Sequence, residues 1–132
     1  MASATILLAE DEEVVRRLVT EILRRADYEV LDAANGAQAL EKARSQTTPI
    51  DLLISDVAMP AMTGVELSRQ ISAMHPGIRI LLISGYSDPA AVADMQDQPG
   101  FAYLRKPFAP NALLEQVRSL LQTDPPPRLN PA

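Results

Sequence analysis

Five short runs of β-type residues alternate with segments of helical periodicity, and this alternation is the strongest constraint on the fold. The runs are Thr5 to Ala9, Tyr28 to Ala33, Ile50 to Ser55, Ile78 to Ser84 and Phe101 to Arg105. Strands joined by helices pair in parallel and bury both faces of their sheet, so the pattern predicts an α/β fold with a doubly wound five-stranded parallel sheet. At 132 residues the chain has the length of one domain.

The segments between the runs are predicted to be helices, because apolar residues recur in them every three or four positions, although the fourth segment is a poor helix with few large apolar groups. They are Asp11 to Ala26, Ala37 to Ser45, Val65 to Met74, Asp88 to Gln96 and Asn111 to Leu121. In the first helix the pattern assigns Val14, Val15, Leu18, Val19, Ile22 and Leu23 to the core, and Arg16, Arg17, Glu21, Arg24 and Arg25 to solvent. The domain is predicted to span residues 1–122, and the Pro-rich residues 123–132 to be a disordered tail or a linker.

Composition excludes several classes of protein. The chain has no cysteine, so it can form neither a disulfide framework nor a thiolate zinc site. A net charge of −5 and only five Phe and Tyr residues argue against direct nucleic-acid binding. Apolar runs are too short for a membrane span or a signal peptide, so we expect a soluble, cytoplasmic domain without membrane insertion.

Polar residues stand where four of the five predicted strands end. Glu10 and Asp11 follow the first strand, Asp56 follows the third, Ser84 closes the fourth and Lys106 follows the fifth. Ligands of doubly wound sheets bind at the carboxyl ends of the strands. The sequence therefore predicts that three carboxylates, one hydroxyl and one ammonium group meet in a single site.

Carboxylates this close together repel one another, and a hard divalent cation such as Mg²⁺ relieves the repulsion. Asp11 and Asp56 are the expected direct ligands, Glu10 is expected to hold a metal-bound water, and the backbone carbonyl of Ala58 offers a further oxygen. A carboxylate can also attack phosphorus to form an aspartyl phosphate. Lys106 and Ser84 would then bind the phosphoryl oxygens.

Each of these residues also has an ordinary structural explanation. Acids favour helix starts, Asp56 could cap a turn, Ser84 could be a turn residue and Lys106 could be solvated surface. Their coincidence at the strand ends favours a phosphoacceptor. The alternatives are an interaction module that never carries phosphate, and a flavodoxin-like or phosphohydrolase enzyme. Against the enzyme, the chain has no glycine-rich phosphate loop, and Val57 and Ala58 supply no second acid after Asp56.

Four motifs carry a family resemblance: ILLAEDE (Ile6 to Glu12), LLISDVAMPAMTG (Leu52 to Gly64), LLISGY (Leu81 to Tyr86) and FAYLRKPF (Phe101 to Phe108). Through them the chain resembles the receiver domains of two-component systems. The resemblance implies a flavodoxin-like (βα)5 fold with strand order 2-1-3-4-5 and a cis Lys106–Pro107 bond. It also implies Asp56 as phosphoacceptor, Glu10 and Asp11 as the acidic metal-site pair, Ser84 and Tyr103 as switch residues, and Lys106 as the phosphoryl-binding lysine.

The resemblance also implies partners and a mode of action. The phosphodonor would be a sensor histidine kinase or a histidine phosphotransfer protein, and the cofactor would be Mg²⁺. Such a domain catalyses its own phosphorylation and dephosphorylation but turns over no separate substrate. Phosphorylation is expected to change the packing of the face formed by the fourth helix, fifth strand and fifth helix. A homodimer could also form through this face. The stretch from Gly85 to Phe108 looks like receivers attached to hybrid histidine kinases.

Overall fold

The computed structural model describes residues 4–85 and 99–122. Its strands are β1 (Thr5–Ala9), β2 (Glu29–Ala33), β3 (Leu52–Asp56), β4 (Arg79–Ser84) and β5 (Phe101–Arg105). Its helices, within those residues, are α1 (Glu13–Arg25), α2 (Gly36–Ser45), α3 (Gly64–Met74) and α4 (Pro110–Gln122). The predicted helix from Asp88 to Gln96 and the predicted tail from residue 123 lie outside the described residues.

The five strands form one parallel sheet in the order β2-β1-β3-β4-β5, which confirms the predicted fold. The central strand β3 and its neighbour β1 are buried at every residue. Burial on both faces explains why their sequences are nearly continuous apolar runs rather than alternating patterns. All strands run in the same direction, so the residues that follow them gather at one edge of the sheet.

Alternate residues of each strand feed two cores, one on each face of the sheet. On one face Ile6 and Leu8 of β1 pack with apolar residues of α1 and α4, among them Leu23 and Leu113. On the other face Leu7 of β1 joins a cluster with apolar residues of α2 and α3: Ala39, Leu40, Ala43, Leu67 and Ile71. The sheet is therefore anchored on both sides, which holds the ends of its strands in fixed positions.

Side-chain caps start the two helices that follow β2 and β3. The Asn35 side-chain oxygen Oδ1 accepts the Gln38 backbone N–H at 2.8 Å before α2. The Thr63 hydroxyl accepts the Glu66 N–H at 3.1 Å before α3. Such caps satisfy backbone donors that have no partner within the helix. They fix where the loops at the carboxyl edge of the sheet give way to helix.

The predicted faces of α1 were wrong at three positions. Val14 and Leu18 are 80% and 53% exposed, although the periodicity assigned both to the core. Arg16 was assigned to solvent, yet its side chain is only 17% exposed. The apolar stripe of α1 is wider than the surface it packs on, so its margin faces water, while the long Arg16 side chain reaches back to the loop after β1.

Candidate functional site

Three carboxylates meet at the carboxyl edge of the sheet, as the strand-end argument predicted. Glu10 and Asp11 follow β1, and Asp56 is the last residue of β3. Oxygens of all three lie within 4.8 Å of one another. Glu10 and Asp56 are buried, whereas Asp11 is exposed, so the cluster opens to solvent at Asp11.

Lys106, just after β5, joins two of these carboxylates. Its Nζ donates to Asp56 Oδ2 at 2.7 Å and to Glu10 Oε1 at 2.8 Å, and the Glu12 carboxylate lies 3.9 Å away. Its side chain is 18% exposed. Burial alone would lower the pKa of Lys106, but the hydrogen bonds to Asp56 and Glu10 and the attraction of their charges raise that pKa above its ordinary value. The ammonium group is therefore a permanent cation between two acids.

The backbone around Asp56 is held on several sides. Its carboxylate Oδ1 accepts the Ala58 N–H at 3.0 Å, so the predicted turn-capping contact is present together with the Lys106 contact on Oδ2. The Ser55 hydroxyl donates to the Asp56 carbonyl at 3.0 Å. Val57 N–H donates to the Ile83 carbonyl at 2.8 Å, which ties the residue after Asp56 to β4. Asp56 is presented from a rigid frame.

Gly64, the first residue of α3, packs directly on that frame. Its N–H donates to the Val57 carbonyl at 2.9 Å. A Cβ added to Gly64 would stand 2.3 Å from the Asp56 carbonyl oxygen and 3.0 Å from the Ser55 hydroxyl oxygen. Only glycine allows α3 to begin this close to the carbonyl of Asp56.

The surroundings of Glu10 strongly favour its neutral form. Burial, reinforced by the neighbouring Asp56 carboxylate, raises the pKa of Glu10 to about 7, although Lys106 opposes the shift. Its Oε2 is buried and has no hydrogen-bond partner among the described residues. A divalent cation with bound water fits this arrangement, because it would satisfy the orphaned oxygen and offset the crowded negative charge. The donor set, all carboxylate oxygen, suits Mg²⁺.

Ser84 lies on β4, the strand next to that of Asp56, and Tyr103 lies on β5, one strand further out. Ser84 is buried at the end of β4, and its carbonyl accepts the Lys106 N–H at 2.8 Å. Tyr103 is opposite Leu82 in the β4–β5 register and packs half-buried against the apolar cluster that contains Val57 and Leu82. The Lys106–Pro107 bond is cis, as the resemblance implied. Roles for the Ser84 hydroxyl, the Tyr103 ring and the Ala58 carbonyl remain predictions.

Arg16 is the site neighbour that the sequence interpretation missed. Its Nη1 donates to the Glu10 carbonyl at 2.9 Å, and its Nε lies 3.6 Å from Asp32 Oδ2. Nothing in the local pattern distinguishes it from Arg17, because both arginines fall beside the apolar stripe of α1. A signal would have required knowing how α1 packs over the end of β1 and of β2, which brings Arg16 to the Glu10 carbonyl and to Asp32.

Comparisons with known proteins agree with this geometry. Residues 6–118 match the family model described as the response regulator receiver domain. The chain is 37% identical over 91% of its length to the sensor kinase CckA of Brucella abortus, of which it spans 13%. It is 36% identical over 88% of its length to the response regulator receiver protein CpdR of the same species, of which it spans 95%.

Solved structures show the same relationship. The receiver domain from the hybrid histidine kinase CckA superposes with a TM-score of 0.77 at 37% identity, covering 90% of this chain and 100% of that one. The chemotaxis protein CheY4 of Vibrio cholerae superposes with a TM-score of 0.79 at 31% identity, covering 90% of this chain and 99% of that one. The motifs, the strand order, the acidic cluster with its lysine and the family match together show that this chain belongs to the response-regulator receiver family of two-component phosphorelay signalling.

Proposed function

We propose that Asp56 accepts a phosphoryl group from a phosphohistidine, with Mg²⁺ bound beside it, and that the domain passes this change on as a signal. The observation that carries the proposal is the pair of contacts from Lys106 Nζ to Asp56 Oδ2 and Glu10 Oε1. A buried acid held beside a fixed cation, with two further acids within reach, is the arrangement that phosphoryl transfer to a carboxylate needs.

The transfer is a displacement at phosphorus. A carboxylate oxygen of Asp56 forms a bond to phosphorus as the bond from phosphorus to the donor's imidazole nitrogen breaks, and that nitrogen keeps the electron pair. The product is an acyl phosphate on Asp56. Lys106 stays close enough to pair with a phosphoryl oxygen, and the rigid frame of Ser55, Val57 and Gly64 keeps the acceptor in place during the attack.

Four residues would hold the cation. Asp11 and Asp56 would bind it directly, the Ala58 carbonyl would add a third protein oxygen, and Glu10 would hold one of the bound waters. When bound, Mg²⁺ neutralises charge that builds up on the transferring phosphoryl group. The residues of this chain set where that neutralisation acts, because they fix the distance between the acid cluster and Lys106.

Receiver domains are signalling domains that interact with histidine kinases or phosphotransfer proteins, and they do not turn over a separate substrate. We propose a donor of that kind here, and slow loss of the phosphoryl group to water as the reverse step. Phosphorylation adds about −1.5 to −2 charge at Asp56. Ser84 would move toward the new oxygens and Tyr103 would follow, which changes the packing around β5 and α4.

Incorporation from a small phosphodonor tests the proposal. The protein is incubated with acetyl phosphate and Mg²⁺, and its intact mass is measured. Wild type should gain one phosphoryl group, Asp56→Asn should gain none, and Asp27→Asn, which changes an exposed acid far from the site, should behave as wild type. No incorporation into wild type, with the fold intact, would instead favour an interaction module that never carries phosphate. Equal incorporation into Asp56→Asn would exclude Asp56 as the acceptor.

A further inference from the structure

Arg16, at the end of the first turn of α1, joins three parts of the structure. Its Nη1 donates to the Glu10 carbonyl at 2.9 Å in the loop after β1, and its Nε lies 3.6 Å from Asp32 Oδ2 on β2. Its side chain is 17% exposed, whereas that of its neighbour Arg17 is 81% exposed. Arg16 is thus built into the structure at the base of the acid cluster.

Its contact is one of three hydrogen-bonded contacts that hold Glu10. The Glu10 N–H donates to the Ala33 carbonyl at 3.0 Å, its side chain accepts from Lys106, and its carbonyl accepts from Arg16. The Glu10 carbonyl belongs to the peptide unit that leads into Asp11. Holding that carbonyl therefore fixes the backbone from which both acids of the pair project.

We propose that Arg16 is a positioning residue for the cation site: it holds the Glu10–Asp11 loop in the geometry that binds Mg²⁺, and Asp32 orients its guanidinium group. This inference rests on the proposed function. Arginine suits the task because its planar fork can donate in two fixed directions at once, which the single ammonium of lysine cannot reproduce. Residues that orient metal ligands without touching the metal commonly set metal affinity.

Electrostatics and positioning make opposite predictions for the loss of Arg16. Removing a cation near three carboxylates strengthens their attraction for Mg²⁺, so a purely electrostatic role predicts tighter binding. Loss of a positioning contact frees the loop and predicts weaker binding. Arg17 is a matched control, because it is the adjacent arginine and its ion pair with Glu13, at 4.0 Å, is fully on the surface.

The test is titration of the metal-free protein with Mg²⁺, followed by heat release and by amide chemical shifts, for wild type, Arg16→Gln, Arg16→Lys and Arg17→Gln. Arg16→Gln should raise the Mg²⁺ dissociation constant roughly tenfold. Arg16→Lys, which keeps the charge, should also weaken binding. Arg17→Gln should bind as wild type or slightly more tightly. Thermal melts in chelator identify which variants are folded, and Arg16→Lys carries the test should Arg16→Gln not fold.

The outcomes separate this inference from the proposal beneath it. A folded Arg16 variant that binds Mg²⁺ as tightly as wild type, or more tightly, overturns the positioning role and leaves the proposed function standing. Equal weakening in Arg17→Gln also overturns it, because the effect would then not depend on the contact between Arg16 and the Glu10 carbonyl. A wild-type protein with no saturable response to Mg²⁺ overturns the proposed function and this inference together.

Discussion

Replacing Gly64 by alanine tests whether the first turn of α3 sets the position of the acceptor. The added Cβ would lie 2.3 Å from the Asp56 carbonyl oxygen. Real Cβ atoms essentially never come closer than 3.0 Å to such an atom. Either α3 or the end of β3 must therefore move by about 0.7 Å. Neither can move freely, because two hydrogen bonds hold them together. The Gly64 N–H donates to the Val57 carbonyl, and the Ser55 hydroxyl donates to the Asp56 carbonyl.

The size of the effect follows from two opposing contributions. Overpacking a well-packed site costs about 1–3 kcal/mol. Alanine recovers up to ~1 kcal/mol of helix propensity over glycine, and less at a helix start. We expect Gly64→Ala to lower the free energy of unfolding by about 2 kcal/mol. Because a misplacement of roughly 1 Å in a catalytic group can cost about 100-fold, incorporation from acetyl phosphate should slow at least severalfold.

Gly36→Ala is the matched control, since Gly36 is also the buried first residue of a helix. Its added Cβ would lie 2.8 Å from the Met62 sulfur, which can move aside, and 3.0 Å from the Met62 Cβ, which is tight but not below the limit for real Cβ contacts. We expect a change below about 1 kcal/mol. The assay is urea unfolding of both variants, with the phosphorylation rate measured alongside. Equal stability of the two variants, or a Gly64→Ala protein that is phosphorylated at the wild-type rate, would refute the reasoning.

Two further predictions concern the charges of the site. Lys106→Met leaves Glu10 and Asp56 buried without their cation. In chelator the substitution should therefore lower the free energy of unfolding by about 2 kcal/mol. This is less than the loss for a fully buried ion pair, because the site is partly open to solvent. Mg²⁺ should restore part of the lost stability. The control Arg105→Met, which replaces an exposed arginine, should change the free energy of unfolding little. An unchanged urea midpoint for Lys106→Met in chelator would count against the ion-pair network. The second prediction concerns pH. Because the pKa of Glu10 is raised from 4.5 to about 7, the folded metal-free protein binds more protons than the unfolded chain between those values, so its stability should fall as pH rises through that window. Urea unfolding across the window checks this against Glu10→Gln; a constant difference between the two proteins would contradict the raised pKa.

Much of the site could be predicted from the sequence because its chemistry follows from strand ends. Lys106 and Glu10 are 96 positions apart, yet each follows a strand of a parallel sheet, and that alone places them at one edge. The strand order came from the family resemblance rather than from periodicity. Periodicity describes which face of a strand or helix is apolar but not which strand is its neighbour.

What could not be predicted depends on packing between elements distant in sequence. Val14 and Leu18 fit the apolar pattern of α1, but they fall beyond the surface that α1 covers, so they face water. Arg16 resembles a solvated residue in the pattern of α1, and only the docking of α1 on the sheet brings Asp32 within its reach. The close approach of Gly64 to Asp56 likewise appears only when α3 is docked on the sheet.

The exposed residues Val14 and Leu18 show where sequence periodicity and tertiary packing give different results. The helix-period rule assigns a residue to a face with no knowledge of how wide the partner surface is. In α1 the buried residues Val19, Thr20 and Leu23 form the central stripe, and the residues at its margin are left outside. Sequence periodicity therefore predicts burial at the centre of the apolar stripe of α1, whereas tertiary packing decides burial at its margin.

Chemical identification of the modified residue tests the central claim most directly. The protein is treated with acetyl phosphate in the presence or absence of Mg²⁺, the acyl phosphate is reduced with borohydride, and peptides are mapped by mass spectrometry. We predict a homoserine in place of Asp56, formed only when Mg²⁺ is present. A homoserine at Glu10, Asp11 or any other acid, or none anywhere in a folded protein, would contradict the account.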